Sequence, residues 1–483
     1  MLIDELERFN PWWKTGAVPP ERAPPQRLLL PKSDQRSSHA CTIACRIFTK
    51  KFRNMILRIM FLNREDELDQ FRRWRDSGRA ELIILYGRRR VGKTSLIRRL
   101  LEDGDAPSAY LIVSRLDRGG ILDDFSTTLV ERGLVKHKPE LRGFGELYRL
   151  IGDLSSEKRL IVAIDEFQRL ADADPSSLTL LQAAWDDYLC KGKLMLLLSG
   201  SAVGAVERIG MSYSSPLYGR RTGQMKLMPL PYRHAKKFLT GYSLEDRVRA
   251  YAVFGGTPAY LSQIDPMRPL LDSIRDRLLL RSSPLFEEPN TLLAQETREP
   301  LRYMAMLEAM SYGASTLGEI SDKAGVSSND LPKYMNTLVG ELDIVGKRYP
   351  LLEEGKRGRT RYFISDNFFR SWFRFVKRNL PALEMGSSDS VARKVEGELD
   401  EYTSLAFEDI CMEHLRWMIA RGRIHATDAG RWWNSHTELD GVALDQNGGT
   451  AHFIEAKWSR VPVGRDVLND LIRKSEAFPE ALP

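Results

Sequence analysis

The stretch LYGRRRVGKTSLI, residues 85–97, decides how the rest of the chain is read. Its centre, residues 87–94, runs glycine, four residues, glycine, lysine, threonine. The apolar run ELIILYG leads into it and the helical pattern TSLIRRLLE leaves it. Glycine at both ends permits a tight turn whose successive N–H groups point inward, and the following helix N-terminus adds partial positive charge. The result is a cradle for phosphate oxygens, built from Gly87, Arg88, Arg89, Arg90, Val91 and Gly92 and closed by Lys93, Thr94 and Ser95. Lys93 is spaced to reach the outer phosphates of a nucleotide, and Thr94 to hold Mg²⁺.

Outward from this loop, apolar runs alternate with helical patterns. The runs are ELIILYG, SAYLIVS, RLIVAIDEF, KLMLLLSGS and GQMKLMPL. Near-continuous apolar runs of this kind predict buried parallel strands. Their alternation with helices predicts an α/β sheet covered on both faces, over residues 60–231. The run RLIVAIDEF ends in Asp165 and Glu166, placed to hold Mg²⁺ and to polarise an attacking water. The next run ends in Ser199 and Ser201, either of which is a candidate neighbour of the γ-phosphate. Arg220 and Arg221, in LYGRRTG, are candidates to stabilise transition-state charge, set against a plain basic surface turn.

As a set, FLNREDEL, LYGRRRVGKTSLI, IVAIDEFQRL, LLLSGSAVG, PLYGRRT and YAVFGGTPAYL resemble the archaeal-type ATPase family, a branch of the STAND-like and AAA-related P-loop NTPases. The resemblance covers about residues 60–370. It implies ATP as ligand, a helical lid (232–300) and a winged helix (301–380) after the core. Members often end in a domain similar to restriction endonucleases. The opening ELERFNPWW resembles the start of a sister group of ATPases, but here an extra Pro-rich and basic segment, within 1–59, separates it from the phosphate loop.

Within 301–380, TLGEISDKAG and LPKYMNTLVGEL read as helix, turn and recognition helix, exposing Lys333, Asn336 and Thr337. The following loop carries Lys356, Arg357, Arg359 and Arg361, a basic wing suited to DNA phosphates. The competing reading is a wing used for protein docking. LPALEMGSSDS places a linker at 381–392.

The last segment, 393–483, contains ELDGVALDQNGGTAHFIEAKW. Asn447-Gly448 favours a tight hairpin turn. With those two at its centre, paired positions sum to 895 and Asp440 faces Glu455. Two opposed carboxylates call for a cation between them, and Lys457 shares their face. A turn one residue longer or shorter would break this register. Asp440, Glu455 and Lys457 resemble the D…ExK signature of restriction-endonuclease-like nucleases, with Glu408 resembling that fold's additional acidic residue on its first helix. The fold would be cut short, because no apolar strand follows the final helical pattern.

The chain has 483 residues, 72 Lys and Arg against 65 Asp and Glu, and a formal net charge of +7. That mild basic bias is compatible with nucleic acid. The four cysteines and seven histidines have no zinc-site spacing. No run of about 18 apolar residues exists, and the N-terminus lacks a signal-peptide pattern. The expectation is a cytoplasmic, multidomain α/β protein with no membrane partner, compatible with an oligomer. It would be an ATP- and Mg²⁺-dependent switch whose output is DNA engagement. The rival is a regulatory or scaffold ATPase whose C-terminal domain binds a partner without cleaving.

Overall fold

The computed structural model describes residues 64–479 apart from 115, 116, 214, 355 and 357. The extension 1–59, the domain start at Met60 and Arg357 of the basic loop lie outside the described residues.

Five parallel strands form the central sheet: β1 (Glu81–Tyr86), β2 (Ser108–Ile112), β3 (Leu160–Asp165), β4 (Leu194–Gly200) and β5 (Gly223–Lys226), in the order β2-β3-β4-β1-β5. β1, β3 and β4 are buried along their whole length, as their unbroken apolar runs require. Alternate residues serve opposite faces. Leu82 and Ile84 pack with the helices Arg118–Glu131, Phe144–Ser155 and Ser177–Asp187. Ile83 and Leu85 pack with Glu65–Arg75 and Lys93–Glu102. Register aligns Leu85 with Ser199 and Ser199 with Asp165. The loops leaving β1, β4 and β3 therefore emerge side by side at one sheet edge, where ligands of open α/β sheets sit.

A second body has its own core, drawn from residues 230–406. Helix Leu317–Ala324 opens with a reciprocal Thr316–Glu319 capping box and closes on Gly325 in the left-handed region. Helix Leu331–Asn336 and the antiparallel pair β6 (Val345–Arg348) and β7 (Arg361–Ile364) follow in the expected order.

The expected linker is not one. Leu380–Glu384 is a short helix, and a 33-residue helix begins at Ser388, not 393, and runs to Ala420. Val391, Val395, Leu399, Tyr402 and Ala406 join the core of this second body, and the Tyr402 hydroxyl donates to Ala252 O at 3.2 Å. The Gly, Ser and Asp content of 386–390 resembles a linker. The apolar spacing that follows anchors the helix all the same.

The C-terminal half of this helix carries an antiparallel sheet of β8 (Asp428–Trp433), β9 (Glu438–Asp445) and β10 (Thr450–Ile454), with β9 central. Met412 and Leu415 of the helix pack on Ala443. Thr450 pairs with Asp445 and Ile454 with Gly441. That is the expected register, closed through residues 446–449.

Candidate functional site

The turn after β1 is shaped by two glycines. Gly87 has φ +149°, and a Cβ there would lie 2.3 Å from the Leu227 carbonyl oxygen. Gly92 caps helix Lys93–Glu102 at φ +100°, a region that L side chains avoid. The Lys93 ammonium is almost buried and donates to Gly87 O at 2.7 Å and Arg88 O at 3.0 Å. Burial pulls its pKa down to about 8, against the attraction of Glu166 and Asp165.

Opposite the loop, the Thr94 hydroxyl donates to Asp165 Oδ2 at 3.2 Å, and Tyr110 OH donates to the same oxygen. Glu166, with φ +55°, accepts from Ser201 Oγ at 2.8 Å and from Gln168 Nε2. A cavity of about 320 Å³ opens over Lys93, Thr94, Asp165, Glu166 and Ser201 and extends to Phe238 and Pro258 of the second body. Gly92, Ser95, Arg89 and Arg90 also line it.

The arginines of the loop face the second body. Arg88 is fully buried, donating to Thr257 Oγ1 at 2.6 Å and pairing with Asp366. Arg89 contacts Glu296 at 2.6 Å and donates to Gln295 at 2.9 Å. Arg90 pairs with Glu288. Asp366 also caps the next helix through Phe369 N at 3.0 Å. None of these partners stood out in the sequence, since an acid tens of residues away carries no local signal. Buried Val91 packs beneath the loop on the face of helix Lys93–Glu102.

Other expected positions separate. Ser201 lines the cavity, whereas Ser199 is wholly buried in β4 and its hydroxyl finds no partner among the described residues. Arg220 is held on Asp186 at 2.7 Å. Arg221 donates to Met211 O at 3.2 Å and lies over the Tyr218 ring. Neither arginine lines the cavity. The surface-turn reading describes both, because nearby acceptors already satisfy them.

The C-terminal carboxylates do not converge as a ligand set. Among the described residues, no group of three or more His, Cys, Asp or Glu side chains is arranged to hold a metal ion. Glu408 lies 2.6 Å from Arg431. Glu455 is nearly buried, 2.6 Å from Lys457 and 2.9 Å from Lys474. Asp440 accepts from Ala456 N at 2.8 Å, because β10 ends before Glu455 can complete the pair. Sequence reasoning missed Arg431 and Lys474, the cations that pair with Glu408 and Glu455.

A glycine-bordered loop between a buried parallel strand and a helix, facing an acidic strand end, defines a P-loop NTPase. Residues 61–264 match the family described as an ATPase domain predominantly from Archaea, and residues 372–468 match one described as Archaea bacterial proteins of unknown function. Uncharacterized protein MJECL04 of Methanocaldococcus jannaschii is 33% identical over 422 residues, covering 86% of this chain and 92% of its own length. Uncharacterized ATP-binding protein MJ0423 of the same organism is 56% identical over 45 residues, 9% of this chain and 76% of that protein. The solved Walker-type ATPase PABY2304 of Pyrococcus abyssi is similar at 22% identity and a TM-score of 0.49, covering 65% of this chain and 96% of that one. The chain belongs to this archaeal ATPase family and is an ATPase. Among the described residues no helix is long and apolar enough to cross a membrane.

The buried ammonium gives a test of the site without nucleotide. Lys93 titrates near 8 when folded and near 10.5 when unfolded, so the unfolded chain binds more protons between those values and stability rises with pH there. Melting of nucleotide-free wild type and Lys93→Met between pH 7 and 10.5 should show any advantage of the methionine shrinking as pH rises. A constant difference would mean that the ammonium is not desolvated.

Proposed function

We propose that the chain is a nucleotide-driven switch: ATP hydrolysis at the loop of residues 87–94 changes how the second body sits on the sheet, and the output is engagement of DNA. The observation that carries this reading is the cavity shared by both bodies, floored by Lys93, Thr94, Asp165 and Glu166 and walled by Phe238 and Pro258. The cradle fits a triphosphate, since Gly87 and Gly92 present backbone where any side chain would intrude or strain. Thr94 and Asp165 set adjacent oxygens 3.2 Å apart, a donor set that suits Mg²⁺. Mg²⁺ held there would neutralise charge on the outer phosphates.

In this reading Lys93 turns from the carbonyls of Gly87 and Arg88 to the β- and γ-phosphates. Glu166 takes the proton of the attacking water, and Ser201 fixes the orientation of its carboxylate. Tyr110, by donating to Asp165, keeps that carboxylate aimed at Thr94. Arg89 and Arg90 meet phosphate oxygens from the cavity wall.

For the output, helix Leu331–Asn336 and the strands β6 and β7 are read as a winged helix. Lys333 and Asn336 are exposed on the helix, Lys356 and Arg359 on the connection between the strands, and Arg361 at the start of β7. Glu353 holds Arg359 at 3.1 Å, so phosphate contact there means exchanging a weak surface ion pair for a DNA phosphate. The C-terminal unit is read as a partner-binding domain that does not cleave. Arg431 on Glu408 and two lysines on Glu455 favour this over a nuclease, because those carboxylates are already neutralised from within the chain.

Lys93→Ala should abolish ATP binding, while Glu166→Gln should bind ATP and turn it over at least about a hundredfold more slowly, as measured by phosphate release. Undiminished turnover in Lys93→Ala would remove the site. Plasmid incubated with wild-type protein and Mg²⁺ or Mn²⁺ should stay unnicked. Nicking that disappears in Asp440→Ala would restore the nuclease reading.

A further inference from the structure

We propose that Glu288 and Glu296 are positioning residues for ATP hydrolysis: they occupy the guanidinium groups of Arg90 and Arg89 until the nucleotide's phosphates take them, so that phosphate binding releases helix Glu288–Glu296. The inference rests on the cavity being the ATP site.

The two carboxylates are the first and last residues of one helix, about 12 Å apart along its axis. Each pairs with one of two consecutive arginines of the phosphate loop. Both acidic side chains are nearly buried, at 2% and 5% exposure, while the arginines keep 36% and 32%. The arginines therefore face the cavity, and the carboxylates lie behind them. A carboxylate presents oxygens to guanidinium much as a phosphate does, so the two compete for the same donors.

The competition runs one way once ATP is present. The phosphates bring several negative charges to a site where Lys93 and Glu166 already act electrostatically on Glu296. A like charge arriving there repels Glu296 while drawing off Arg89. Glu288 keeps a hydrogen bond from Tyr260 OH at 2.7 Å. Among the described residues Glu296 has no other ion-pair partner, so losing Arg89 leaves a buried carboxylate that must reach water or take up a proton. The helix end carrying it moves accordingly, and only Thr297, Arg298 and Glu299 separate it from helix Pro300–Ser311 of the DNA-directed unit. Arg88 does not line the cavity and keeps Thr257 and Asp366, which leaves a fixed pivot beside the moving contact.

The test measures binding of fluorescent N-methylanthraniloyl ATP with Mg²⁺ to the full chain, in wild type, Lys93→Ala, Glu288→Gln, Glu296→Gln, Arg89→Ala and the double variant Arg89→Ala/Glu296→Gln. Glutamine keeps the shape and removes the competing charge. A pairing closed about nine-tenths of the time weakens apparent affinity about tenfold, so Glu296→Gln should bind about tenfold tighter, with KM falling more than kcat changes. That gain should vanish in the Arg89→Ala background. A purely structural glutamate would give lower melting temperature and equal or weaker binding. Unchanged or weaker binding in Glu296→Gln, or an equal gain without Arg89, overturns the proposal. If that happens while wild type binds and Lys93→Ala does not, the ATP site stands and only the handover fails. If wild type binds no nucleotide, both fall together.

Discussion

Arg88 is a guanidinium with no access to water, held between the Thr257 hydroxyl and the Asp366 carboxylate. A charge that deep cannot be left alone, since removing one partner of a buried ion pair costs about 3–5 kcal/mol. The sheet and the helical body are thus locked at the base of the phosphate loop. Everything the loop does happens against that contact. Arg88 follows Gly87 directly, so the turn is tied to Asp366, which caps helix Asn367–Ser371.

Around this anchor the site is a matter of alignment. Leu85, Ser199 and Asp165 stand in register across three strands. The residues after them, Gly87, Ser201 and Glu166, therefore meet without any long loop. Ser201 rather than Ser199 reaches the cavity because Ser199 is buried inside β4, whereas Ser201 lies just past the strand end, on the loop that opens onto the ligand side. The buried Lys93 ammonium is kept in place by two backbone oxygens of its own loop.

The sheet, the loop and the acidic strand end were legible because each is a local pattern: an unbroken apolar run, glycines at fixed spacing, a carboxylate where the run stops. The hairpin register of β9 and β10 was legible for the same reason, through Asn447-Gly448. What escaped was every contact made at a distance. Residues 386–390 look like a linker until Val391, Val395 and Leu399 find the core built by residues far upstream. Arg220 looks available until Asp186 comes beside it. Glu408 and Glu455 carry no local sign of Arg431 and Lys474, which pair with them from other elements. Three consecutive arginines in the loop read as a phosphate cradle, and the tertiary structure shows that they also grip the second body.

The account stands on coupling between the phosphate loop and that body. Amide hydrogen exchange followed with and without MgATP reads it directly. Slower exchange at residues 87–95 accompanied by faster exchange at 288–296 is the expected pattern. Protection confined to the loop, or a helix that tightens along with it, would contradict the coupling.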